Sequence, residues 1–93
     1  MTIVINTCYG GFHIPEALCE QYGLDSYDDI NRDDPRLVNF IREHGGLFAE
    51  GCAKLRLCTI PDDATDWELN EYDGCESVIA VVDGKIVHLH YDE

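Results

Sequence analysis

The stretch W-E-L-N-E-Y-D-G-C-E-S-V-I-A-V-V-D-G-K-I-V-H-L, residues 67–89, decides the fold. Two Asp-Gly pairs, Asp73-Gly74 and Asp83-Gly84, cut it into three strand-like runs. Asp-Gly suits a two-residue hairpin turn because both central positions need positive φ, so the segment reads as an antiparallel meander. A turn at Asp83-Gly84 sets Val82 opposite Lys85, Ala80 opposite Val87 and Val78 opposite Leu89. That register predicts a core of Val78, Ala80, Val82, Val87 and Leu89, with His88 and His90 on the exposed face. In the first run, Trp67, Leu69 and Glu71 share one side, and Glu68, Asn70 and Tyr72 the other.

Upstream, A-K-L-R-L-C-T-I at residues 53–60 alternates as a strand, with Leu55 and Leu57 on a core face and Lys54, Arg56 and Cys58 on a wet one. Pro61-Asp62-Asp63 breaks it. The run R-L-V-N-F-I-R-E-H is a helix: Asp34 caps it, Pro35 takes its first position, Leu37, Val38 and Ile41 form one stripe, and Gly45-Gly46 ends it. The intervening L-F-A-E falls in a loop. A shorter helix spans roughly 15–22, with Leu18 and Tyr22 on one face and Gly23 at its C-terminal cap. T-I-V-I-N at residues 2–6 is a β-branched strand suited to a central position. The expected architecture is α+β, with two helices packed on one face of a mostly antiparallel four- to five-stranded sheet. At 93 residues one domain is expected over 1–93, and no apolar run approaches the ~20 residues of a membrane helix.

Charge is the outlier. Nineteen Asp and Glu against six Lys and Arg give −13, which argues against direct binding to nucleic acid or an anionic membrane and points to a basic partner. No Lys or Arg lies between Arg56 and Lys85, whereas Asp62, Asp63, Asp66, Glu68, Glu71, Asp73, Glu76 and Asp83 do. Carboxylates in such a window serve solubility, or they imitate the phosphates of a nucleic acid and occupy a basic groove. The first seven are therefore candidate partner-binding residues. Five cysteines without paired spacing fit neither a disulfide framework nor a zinc ribbon, so free thiols in a reducing cytoplasm are expected.

Three other sites carry residues of chemical interest. The turn C-Y-G-G-F-H brings Cys8, Tyr9, Gly10, Gly11 and His13 together as a loop candidate, in which a Cys8–His13 thiolate pair competes with a loop fixed by its glycines over Tyr9 and Phe12. It lacks the Walker spacing, and Ile14 stands where a phosphatase-type cysteine needs arginine. Asp29, Asn31 and Asp33 match the first three ligand positions of a calcium loop, but Asp34 replaces its glycine and Phe40 its final glutamate, which leaves at most a weak cation site beside a solvated charge run. His88 and His90 have the spacing of a chelate without a third ligand. No metal, cofactor or catalytic residue is assigned.

The segments V-I-N-T-C-Y-G-G-F, D-D-P-R-L-V, A-K-L-R-L-C-T-I-P-D-D and W-E-L-N-E-Y-D-G resemble a family of small bacteriophage and prophage proteins without established activity. The resemblance runs from Ile3 to about Val78. Beyond it the A-V-V-D-G-K-I-V-H-L-H hairpin replaces a shorter basic tail, and His13 and Pro15 stand where a small residue and a serine are commoner. It implies a viral protein of the host cytoplasm. The expected function is an accessory inhibitor that binds a basic nucleic-acid-handling surface of a host defence protein, such as a restriction or CRISPR component. The alternative is a small-molecule or nucleotide-binding protein, or a minor enzyme, built on the Cys8–His13 loop and the Tyr72-Asp73-Gly74 turn. Oligomeric state is left open, a homodimer included.

Overall fold

The computed structural model describes residues 1–25, 30–51 and 53–92. Its elements are β1 (Thr2–Asn6), α1 (Glu16–Tyr22), α2 (Pro35–Glu43), β2 (Leu47–Glu50), β3 (Ala53–Thr59), β4 (Ala64–Tyr72), β5 (Cys75–Val82) and β6 (Lys85–Leu89). The class is α+β, but the described strands form two antiparallel three-stranded sheets, β1-β3-β2 and β4-β5-β6. This corrects the single sheet of four to five strands. L-F-A-E is not loop but β2, which pairs Phe48 with Leu55 and Glu50 with Ala53. With β1 on its other edge, pairing Ile3 with Cys58 and Ile5 with Arg56, β3 has no edge left for β4. The chain therefore leaves at Pro61 to start a second sheet. Strand β1 is correspondingly an edge, not the centre.

The first sheet is covered by the helices on one face and, over β1 and the Cys58 end of β3, by the second sheet on the other. Alternation sends Val4, Leu55 and Leu57 toward the helices, where they meet Ile14, Leu18, Leu37 and Ile41. Ile3, Ile5 and Cys58 point the opposite way and pack with Ile60 and Val78, under the second sheet. Cys58 thus belongs to the core rather than to a wet face, and burial pushes its thiol pKa up, with Asp92 adding to the shift. Helix α2 has the expected cap, in which Asp34 Oδ1 accepts from Arg36 N at 2.9 Å. Helix α1 begins after Pro15, which has no side-chain acceptor, and Glu50 of β2 supplies one: both carboxylate oxygens accept from Glu16 N, at 3.0 and 3.1 Å. Leu18 is buried as expected, but Tyr22 is exposed and lies beside Arg36.

The hairpin register is the one expected, Val78 with Leu89, Ala80 with Val87 and Val82 with Lys85. Positive φ at Asp73, Gly74, Asp83 and Gly84 makes both turns. His88 and His90 are exposed. The core assignment is corrected in part: Val78 and Ala80 are buried, Val82 and Leu89 are half-buried, and Val87 is exposed. Of the second sheet, Ala64, Leu69, Val78 and Leu89 pack with Ile3, Ile5, Cys58 and Ile60, and Val87 is not among them.

Candidate functional site

Strand β4 is one edge of the second sheet, and the acidic window runs along it. Asp62 and Asp63 lie in the approach to the strand, Asp66 and Glu68 on its outer face, Glu71 near its end and Asp73 in the following turn, all exposed. Asp62 sits 3.6 Å from the N-terminal amine, and Asp66 Oδ1 accepts from Trp67 N at 2.9 Å. Among the described residues no Lys or Arg pairs with Asp63, Asp66, Glu68, Glu71 or Asp73.

Glu76 is the exception and leaves the partner-binding set. It lies opposite Glu71 in the β4–β5 ladder and is only 8% exposed. Arg32 clasps its carboxylate from two nitrogens, with Nη2 donating to Oε2 at 2.6 Å, and the same guanidinium lies 3.7 Å over the Phe12 ring. The pair also closes the outer edge of β1: Val4 N donates to Arg32 O at 2.9 Å, Arg32 Nη1 to Val4 O at 3.2 Å, and Asn6 N to Glu76 Oε1 at 2.7 Å. Backbone groups that another strand would have satisfied are satisfied by the two side chains of the pair and by the Arg32 carbonyl. Asn6, fully buried, completes the junction by donating from Nδ2 to Cys8 O and Gly74 O while its Oδ1 accepts from Lys54 N.

The Cys8–His13 loop and the Tyr72-Asp73-Gly74 turn do meet, but backbone fills the space between them. Gly10 N donates to Asp73 O at 3.2 Å, and a Cβ at Gly74 would stand 2.8 Å from Gly10 N, so glycine is required there. Tyr9 does not pack beneath the loop; it is exposed and meets Tyr72 edge to face at 6.4 Å. Phe12 does, as the platform for Arg32. His13 lines a cleft with Glu16, Cys19, Asp25 and Glu50 to which Cys8 does not contribute. Asn31 and Asp33 are exposed, while Asp29 and Cys52 lie outside the described residues. Among the described residues no group of three or more His, Cys, Asp or Glu could hold a metal ion.

No protein-family model, curated protein or solved structure matches this chain. Among the described residues no helix is long and apolar enough to cross a membrane.

Proposed function

We propose that this is an acidic accessory protein of bacteriophage origin whose β4 margin binds a basic surface on a host protein, where nucleic-acid phosphates otherwise sit. The observation that carries the reading is the asymmetry between the two edges of one sheet. Charges on an edge strand ordinarily prevent edge-to-edge aggregation. For that purpose the single Lys85 serves β6, and β4 would need no more. Yet residues 84–91 contain no acid and Ile86 is 70% exposed, while β4 concentrates the carboxylates. Carboxylates without internal partners satisfy Lys and Arg as phosphates do. A defence component of the restriction or CRISPR kind is the expected partner. A ligand site between the Cys8–His13 loop and the Tyr72-Asp73-Gly74 turn gains no support, because backbone fills the gap between them.

The test is competition. The immobilised chain captures a host protein, and the purified captive is then loaded with duplex DNA. The parent should displace the DNA, with binding that weakens steeply as salt rises. Exposed pairs contribute only about 0.2–1 kcal/mol each, so single changes should do little. Asp62→Asn, Asp63→Asn, Asp66→Asn and Glu68→Gln together should weaken displacement by about tenfold or more, and Cys8→Ala with His13→Ala should leave it unchanged. Equal displacement by the charge-neutralised chain at low salt would overturn the proposal.

A further inference from the structure

We infer that the groove between the two sheets is a binding site for a small phosphate ester. A cleft of about 400 Å³ opens where the start of β5 and the end of β6 pass over β1 and β3, within the range of small-ligand sites. Lys54 and Arg56 enter it from β3, two residues apart and therefore about 7 Å along one face of the strand. In a chain with nineteen acids, neither has a carboxylate partner among the described residues. The acid that lines the same cleft, Glu76, is already neutralised by Arg32. Arg56 lays its guanidinium 4.2 Å from the Tyr91 ring centre, which covers one face and leaves its N–H edges for a ligand.

Two neighbouring positive charges in a concavity match the double negative charge of a phosphoryl group better than the single charge of a carboxylate. Ile5 and Leu89 give the groove an apolar floor for an organic body, and Ser77 and His90 add polar groups at the rim. Polyanions are excluded by the charge of the molecule as a whole, so the occupant is a small ester rather than nucleic acid. This site is independent of the β4 margin, which does not line it.

Phenyl phosphate and inorganic phosphate serve as probes, titrated calorimetrically at about 0.15 M salt. The parent should bind phenyl phosphate, and inorganic phosphate at least tenfold more weakly. Lys54→Gln with Arg56→Gln should lose at least tenfold for phenyl phosphate, whereas Arg42→Gln with Lys85→Gln, which removes the same charge elsewhere, should not change it. On the parent itself, phenyl phosphate should slow alkylation of Cys75, which lines the groove, without slowing Cys8, which does not. No binding by the parent, equal losses in both double variants, or unprotected Cys75 would each overturn the site. Equal affinity for the two probes would overturn the ester and leave a bare phosphate site in its place.

Discussion

Glu76 and Arg32 show how far one residue's role depends on the phase of a strand. Alternation places Glu76 on the face of Val78 and Ala80, a signal present in the sequence that the surrounding run of acids obscured. Arg32, the first Lys or Arg in the chain, likewise stands among aspartates but pairs with a carboxylate 44 positions away. Neither contact distance nor the Phe12 platform is readable from spacing, because both depend on where a loop crosses β1. Breaking a buried pair strands a charge and typically costs about 3–5 kcal/mol. With the Arg32 side chain 22% exposed, Glu76→Ala should cost about 3 kcal/mol in denaturant unfolding. A loss below about 1 kcal/mol would mean that water replaces the carboxylate at the β1 edge.

Elements with their own punctuation were legible. Asp34 and Pro35 announced α2, and the Asp-Gly turns fixed the β5–β6 register residue by residue. Strand β2 was not legible, since four residues flanked by glycines carry too little pattern to separate strand from loop. That omission hid the second sheet, because only an occupied edge on both sides of β3 forces the chain to begin another. The cap on α2 gives a pH prediction. The side-chain hydrogen bond from Arg36 holds the Asp34 carboxyl below its ordinary pKa. A pKa depressed by folding means that the contribution is present above the unfolded value and disappears as pH falls through the folded one. Asp34→Ala should therefore cost about 1 kcal/mol near neutrality and less in acid, where thermal unfolding of parent and variant should converge. A difference that persists at low pH would assign the effect to packing instead.

For the whole molecule, a charge of −13 makes self-repulsion a general term opposing the fold. Raising ionic strength from about 0.01 to about 0.1 M shortens the screening length from about 30 to about 10 Å. Tm should rise, by about 4–8 °C for each kcal/mol of repulsion relieved in a domain of this size. A fall in Tm by calorimetry would mean that the Arg32–Glu76 and Arg36–Asp34 pairs outweigh the repulsion. Of the candidate site, the acidic margin was legible because it needs only composition along one strand. The cationic groove was not, since it joins β1 and β3 to β5 and β6 across a gap between sheets. The placement of these features gives the molecule a permanent electric dipole directed across its second sheet, from the carboxylates of β4 toward Lys85 at the other margin. In the field of a basic surface such a body rotates before it touches. If β4 meets a basic partner as proposed, collisions begin with β4 leading, which raises the rate of productive encounter.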